Sequence, residues 1–341
     1  METEKQKKYY SRLFLLNEKK CEVLYTGLNE GAFQVDCKYE TPPKFEGTNF
    51  TVLFRGKFNP EAGMSTLAAA TKILEEEPIT FASTRIISGH SVETIAKGIT
   101  DFRIEHRFGD IAGTNGGVQN MFGFDMLSDM RIALEYGVTD KLMIGFGRCK
   151  GTGAPYRSLL DGFVKYRFLT QKKNDMPVSM AVIGGSTFTY MTASSDLSQV
   201  NSFPKVAHRF SYFTQLNVAR HFGNKASIAL MPTYVHRNYV AADDVNDLFA
   251  LGGAFRVKLT SRFALVGEYY QVFSNSAFRQ TGYKNSLGIA LEWFTFGHNF
   301  TINFTNAAGL GETQFIPYTF QSWSKGQFRF GFSVSRKFSN D

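Results

Sequence analysis

Polar and apolar residues alternate along residues 98–108, GITDFRIEHRF. One set of positions carries four charges and the other is mostly apolar: Asp101, Arg103, Glu105 and Arg107 against Phe102, Ile104, His106 and Phe108. A period of two is typical of a β-strand, because successive side chains point to opposite faces. The stretch therefore predicts a strand with one charged and one apolar face.

The same alternation recurs along the rest of the chain and predicts twelve strands in all. They cover residues 98–108, 130–138, 141–149, 159–169, 177–189, 208–221, 225–236, 247–259, 262–273, 285–295, 298–305 and 326–338.

The connections between these strands alternate in length. Short ones lie near 139–141, 170–176, 222–225, 259–262 and 295–297, and long ones near 109–129, 150–158, 190–207, 237–246, 274–284 and 306–325. This alternation predicts an up-and-down antiparallel sheet with turns at one end and loops at the other, the layout of outer-membrane barrels. An even strand count would return both barrel ends to the periplasmic, short-turn side.

The apolar faces of the predicted strands must be shielded from water. After residue 98 no predicted helix could shield them. Closing the sheet removes its edges and turns the apolar face outward, which is tolerable only in lipid. We therefore expect an all-β fold: an up-and-down antiparallel transmembrane β-barrel of about twelve strands over residues 81–341.

The charged positions would then point into the lumen. The candidates for lining it are Asp101, Arg103, Glu105, Arg107, Arg131, Glu135, Asp161, Lys165, Arg167, Arg256, Glu268 and Glu292. Both signs are present, so these side chains should pair in a narrow interior. Two interpretations remain open: a lumen blocked by paired side chains, helped by residues 62–90 folding in, or a selective pore.

Aromatic residues near the predicted strand ends suit the interfacial girdles of a membrane barrel. They include Tyr136, Tyr166, Phe222, Tyr234, Phe263, Trp293 and Phe338. The terminal strand, 326–338, alternates aromatics and resembles a recognition signal for outer-membrane insertion machinery. We therefore expect outer-membrane lipid and that machinery as partners.

Residues 1–80 form a different kind of segment, an N-terminal extension of mixed character. Residues 62–77 predict a helix, and the apolar patch Leu13–Leu16 is too short for the core of a secretory signal. Three cysteines, Cys21, Cys37 and Cys149, match no zinc motif. A Cys21–Cys37 bridge stays open.

Composition excludes several other classes. The net charge is +8, but Lys and Arg are spread along the chain without a recognition motif, which argues against nucleic-acid binding. No apolar run reaches the ~18 residues of a transmembrane helix. The six histidines show no metal-ligand spacing, so we predict no metal, no cofactor and no catalytic residue. A membrane hydrolase would have to recruit His208 or His236 beside a serine.

Several long stretches resemble a known family. STRIISGHSVETIAKGITDFRIEHRFGD, EYGVTDKLMIGFGR, LDGFVKYRFL, MPTYVHRN and FGFSVSRKF are similar to Gram-negative outer-membrane β-barrels grouped as domain of unknown function 5777. The resemblance spans roughly residues 74–338. It implies an outer-membrane location and no activity that could be carried over.

Three functions are compatible with this sequence. The first is a narrow or plugged channel or transporter for small solutes or apolar molecules. The second is a non-conducting structural or partner-binding barrel of an envelope complex, whose protein partners the sequence does not identify. The third and weakest is a membrane-embedded hydrolase.

Overall fold

The computed structural model describes residues 79–150, 156–172, 175–223, 225–260, 262–295 and 298–339. They belong to one compact unit, Glu77–Asp341. The expected helix at 62–77, the pair Cys21 and Cys37, and all but the end of the 1–80 extension lie outside these residues. Cys149 is buried and free.

Twelve β-strands are present in the described residues. They are β1 Ile99–Asp110, β2 Leu127–Gly137, β3 Leu142–Cys149, β4 Leu159–Leu169, β5 Ser179–Thr189, β6 Phe210–Phe222, β7 Ala226–Arg237, β8 Asp247–Lys258, β9 Phe263–Phe273, β10 Ser286–Thr295, β11 His298–Thr305 and β12 Arg329–Ser339. The predicted strands are confirmed, with ends displaced by a few residues. The last strand begins at Arg329 because Gly326, with φ 68°, ends a 3₁₀ turn over Trp323–Lys325.

The strands close into a barrel. Every strand pairs with its neighbours in sequence, and β1 pairs antiparallel with β12 in a register that sets Ile104 opposite Val334. The ladder between β1 and both of its neighbours shifts near Arg107, so the seam is irregular at that end. The predicted up-and-down antiparallel barrel is confirmed.

The barrel has a short-turn end and a long-loop end. Short connections cover residues 138–141, 170–178, 223–225, 259–262 and 296–297, and long ones cover 111–126, 150–158, 190–209, 238–246, 274–285 and 306–328. Among the described residues of the long loops are two short α-helices, α1 Ala277–Gly282 and α2 Glu312–Phe315. In the described part of the chain, no helix has the length and apolar content to cross a membrane.

The outer wall is apolar. Along β2, Ile132 and Leu134 are 40% and 55% exposed, whereas Ala133 between them is buried. Phe146 and Phe249 continue this exposed face on other strands. A wall of this kind is stable only against lipid, since each side chain would otherwise forgo about 1.5–3 kcal/mol of burial.

Aromatic residues ring the outer wall beside the short turns. Tyr136, Tyr166, Phe222, Trp293 and Phe338 are all exposed there. Phe263 stacks on Trp293 at 6.1 Å, which extends the ring to β9. Tyr234 lies instead near the long-loop end of β7. The ring matches the aromatic girdles of membrane barrels.

The inner wall also carries apolar side chains, which the sequence analysis did not place there. Met143, Ile183, Val235 and Val266 point inward and are fully buried. Apolar side chains at these positions break the strict alternation of apolar-out and polar-in that a water-filled barrel shows. Something other than water must therefore cover them.

The outer wall leads to a first prediction. Ile132→Arg, at the centre of β2, should lower the free energy of unfolding in lipid vesicles by about 2–4 kcal/mol. Val138→Arg should cost only about 0–1 kcal/mol, since it lies on the same face but beyond the strand end, where lipid gives way to the interface. Urea titration of both variants measures the difference, and equal losses would contradict a lipid-facing Ile132.

Candidate functional site

The twelve predicted lumen residues all occupy inward positions on the wall. Asp161 and Arg167 are partly exposed, and the other ten are buried: Asp101, Arg103, Glu105, Arg107, Arg131, Glu135, Lys165, Arg256, Glu268 and Glu292. Some of these charges pair along the wall, some contact segments inside the lumen, and Arg103 and Glu135 do both. Their part in any function stays a prediction.

Arg131 is the centre of the largest wall cluster. Its guanidinium binds Glu105 on β1 at 2.7 Å and Asp161 on β4 at 2.6 Å. The reach to β4 crosses Gly147, where a Cβ would lie 2.8 Å from the guanidinium. A side chain at position 147 would therefore displace the groups that form this bridge.

Two further clusters pair charges within the wall. Arg103 lies 3.4 Å from Asp101 and 3.7 Å from Glu135, and Arg256 binds Glu292 at 2.6 Å. Removing one member of such a buried pair costs about 3–5 kcal/mol, because the partner charge is left without compensation.

A chain segment fills the lumen beside these clusters. Residues 84–91, here called the inner hairpin, form a tight turn in which Ile86 N–H donates to Gly89 C=O at 2.9 Å and Ser91 N–H donates to Thr84 C=O at 3.0 Å. The hairpin enters from the short-turn end, since it precedes β1 by few residues. The sequence suggested that residues 62–90 fold inward. Residues 62–78 lie outside the described residues, and the structure places residues 80–95 in the lumen, with Ala96 and Lys97 exposed at the short-turn end.

Glu268 on β9 holds the turn of the inner hairpin. Its carboxylate accepts the backbone N–H groups of Ile87, Ser88 and Gly89 at 3.1, 2.9 and 3.0 Å. Consecutive N–H groups that converge in this way form a nest for a negative group. Glu268 therefore satisfies backbone donors that could not otherwise be buried.

The opposite side of the barrel donates hydrogen bonds to the same segment. Lys165 on β4 donates to the carbonyls of Thr84 and Ser91 at 2.8 and 3.0 Å, and Asn217 on β6 donates to that of His90 at 2.6 Å. Contacts from β4, β6 and β9 are compatible only with a position inside the ring.

Apolar packing completes the hold on this segment. Phe81, Ile86, Ile87, Val92 and Ile95 are buried in one cluster with the inward apolar side chains of the wall. Met143, Ile183, Val235 and Val266 belong to that cluster. Residues 81–95 thus cover the inward apolar side chains of the wall and exclude water from them.

The loop over residues 306–328 enters from the other end. Phe315 of helix α2 is fully buried and its ring lies 4.9 Å from that of Tyr270 on β9. Glu312 of the same helix lies 3.6 Å from Arg85 of the inner hairpin. The sequence analysis did not anticipate this second segment, although apolar Leu310, Phe315 and Ile316 in a long loop are a signal for burial.

Arg107 joins the wall to both internal segments. Its guanidinium donates to Ser88 Oγ of the hairpin at 2.6 Å, to Ala307 C=O at 3.1 Å and to Gly309 C=O. Arg85, Asp161, Phe163, Glu312 and Thr313 line a remaining cavity of about 10 Å³, which has room for about one water molecule.

A charged clasp anchors the entering loop at the long-loop mouth. Asp244 binds Arg237 at 3.0 Å and Arg279 of α1 at 2.7 Å, and Arg279 also donates to Pro317 C=O at 3.1 Å. Burial opposes ionisation of Asp244, but the hydrogen bonds and charges of the two arginines prevail and lower its pKa.

Other chemistry is sparse in the described residues. No group of three or more His, Cys, Asp or Glu side chains is placed to hold a metal ion there. The ring nitrogens of His236 pair with Asp247 at 2.7 Å and Asn238 at 3.0 Å, and neither partner is a serine.

The clasp gives a prediction about pH. Because the pKa of Asp244 is depressed in the fold, its contribution is present above the usual Asp range near ~3.9 and is lost as pH falls through the folded value. At neutral pH, Asp244→Asn should therefore lower stability by about 1–2 kcal/mol, a range reduced for partial solvent screening.

The measurement is the difference in Tm between the parent and Asp244→Asn across pH. The difference should be constant near neutrality and vanish in acid, where the parent also loses the charge. A difference that grows as the pH falls would contradict the clasp.

Comparison with solved structures finds other barrels. The chain is similar to the KdgM porin at 10% identity and a TM-score of 0.43, over 70% of this chain and 99% of that one. It is similar to the COG4313 outer membrane channel from Pseudomonas putida F1 at 14% identity and a TM-score of 0.42, over 72% and 98%. Similarity at this level carries no information about what this chain binds. Among curated proteins none matches significantly.

A sequence family described as "Membrane bound beta barrel domain" (DUF5777) matches residues 81–338. An even-stranded closed barrel with an apolar outer wall is the type found in Gram-negative outer membranes, so the predicted location is confirmed. The chain belongs to the DUF5777 family of membrane-bound β-barrels.

Proposed function

We propose that the protein is an outer-membrane channel that is closed at rest and that opens when the inner hairpin leaves the lumen. The observation that carries this proposal is the inner hairpin itself, which occupies the barrel at mid-depth and contacts opposite walls. A barrel of twelve strands is narrow, and one hairpin with one inserted loop is enough to obstruct it.

Two charge clusters of the wall do not need the hairpin for their pairing. Glu105 and Asp161 both pair with Arg131, and Arg256 pairs with Glu292. Their pairing does not depend on the internal segments, so hairpin departure need not break these wall clusters. In a channel, such charges keep their partners when the hairpin leaves the lumen, so these clusters are not left with unpaired buried charges.

The vacated lumen would have two chemical sides. Met143, Ile183 and Val266 would offer an apolar surface, while Lys165 and Glu268 would lose their hairpin partners and offer hydrogen bonds. Such a surface suits a small solute with both an apolar and a polar part. This class lies within the small or apolar solutes that the sequence favoured.

A permanently closed structural or partner-binding barrel is the second candidate. The observation in its favour is the complete burial of Phe81 and Ile95, which resembles the core of a fixed fold. A hydrolase has less support, because that hypothesis places His236 beside a serine, whereas its partners in the structure are Asp247 and Asn238.

Conductance in planar bilayers separates the two candidates. The parent should show little or no current. Glu268→Gln combined with Lys165→Gln weakens the polar hold on the hairpin, and adding Ile86→Ser and Ile87→Ser weakens the apolar hold. We expect stepwise openings to appear with the first pair and to become more frequent with all four changes.

The matched control is Asp110→Asn with Arg329→Gln, which removes a rim ion pair of 3.1 Å. It should remain closed, and heat-modifiability on a gel should show that every variant is folded. A folded four-residue variant that stays closed would favour the structural barrel. A large steady current from the parent would exclude a channel that is closed at rest.

A further inference from the structure

The loop over residues 111–126, which joins β1 to β2, has an unusual surface for a long loop. Five apolar side chains are exposed within nine residues: Val118, Met121, Phe122, Phe124 and Met126. Val118 is 78% exposed and Phe122 is 47% exposed. Contiguous apolar surface of this kind marks a site of interaction with protein or membrane.

The backbone holds these side chains in a defined arrangement. Met121 and Phe122 adopt left-handed φ values of 44° and 53°, which bulky residues rarely take. Phe122 N–H donates to Gly117 C=O at 2.8 Å, and Phe124 N–H donates to Met121 C=O at 3.1 Å. The loop is therefore ordered by its own hydrogen bonds while its apolar side chains stay outside.

The loop folds back onto the outer wall. The ring of Phe124 lies 5.1 Å from that of Phe108 on β1 and 5.3 Å from that of Phe330 on β12. Gly123, with φ 87°, lies so close to Gly109 that a Cβ there would overlap the Gly109 carbonyl. Phe108 and Phe330 belong to the lipid-facing side of their strands, so the loop surface continues the lipid-facing wall.

From this continuity we infer that residues 118–126 insert into the outer edge of the bilayer and bind lipid acyl chains. The loop carries one charged residue, Asp125, and no Lys or Arg. It therefore lacks the cations that would bind phosphate in a headgroup, whereas its Met and Phe side chains match hydrocarbon. On the side of β1 and β2, this loop extends the apolar band of the barrel beyond the strands.

Tryptophan quenching by brominated acyl chains tests the inference. Phe122→Trp and Val118→Trp are each placed in a chain whose native tryptophans are changed, Trp293→Phe and Trp323→Phe, and are reconstituted in brominated phosphatidylcholine vesicles. We expect a loss of fluorescence comparable to that of Leu134→Trp in the lipid-facing wall, with blue-shifted emission. Two probe positions keep the test valid if one variant fails to fold.

The matched control lies in the same loop. Asn115→Trp, at an exposed polar position, should resist brominated lipid and be quenched by aqueous iodide. If the Val118→Trp and Phe122→Trp variants behave like Asn115→Trp, the lipid assignment is wrong. If they escape both quenchers and the protein runs as a dimer in detergent, a second copy covers the loop and the lipid assignment is equally overturned.

Discussion

The carboxylate of Glu268 accepts three consecutive backbone N–H groups of the inner hairpin, and the position of the hairpin inside the barrel depends on that contact. A turn buried inside a barrel has backbone donors that water cannot reach, and leaving them unpaired would cost about 1–3 kcal/mol for each group. Glu268 resolves this with one side chain from the wall. Lys165 does the same for the carbonyls on the opposite side.

Polar contacts set the position of the inner hairpin, and apolar side chains of the hairpin and of the residues beside it add to the stability. Hydrogen bonds to a charged group contribute about 1.5–3 kcal/mol each, and the side chains of Phe81, Ile86, Ile87, Val92 and Ile95 each gain an amount of that size on burial. These five side chains contribute more than the three hydrogen bonds of Glu268 alone, and the bonds from Lys165 and Arg107 make the polar contribution similar in size. The inward side chains of the wall and those of the internal segments therefore pack against each other as in the core of a soluble protein.

Much of this barrel could be predicted from the sequence, because the period of two survives wherever one wall meets lipid. Ile132 and Leu134 had to alternate with Arg131 and Ala133, and the alternating loop lengths then specified the topology. The charged side of the lumen followed for the same reason. The apolar side of the lumen could not be predicted in this way, because an inward-facing Met143 or Val266 has the same residue type as a side chain that faces lipid.

The internal segments were harder to foresee for a different physical reason. Residues 80–95 have no periodicity of their own, and what places them is contact with Lys165, Asn217 and Glu268, which are distant in sequence. Helix α2 is four residues long, too short for any pattern, and Glu312 and Phe315 are held by tertiary contacts with the hairpin and with β9. The alternation of polar and apolar residues therefore predicts the strands of the wall, but it does not predict segments whose position depends on contacts between residues distant in sequence.

Native-state hydrogen exchange at the inner hairpin tests most directly whether the lumen is closed in this way. The amides of Ile87, Ser88 and Gly89 should exchange as slowly as those at the centre of β9, because their protons are bound by Glu268 inside the barrel. Exchange at the rate of an open loop, in a protein whose strands remain protected, would show that the hairpin does not occupy the lumen.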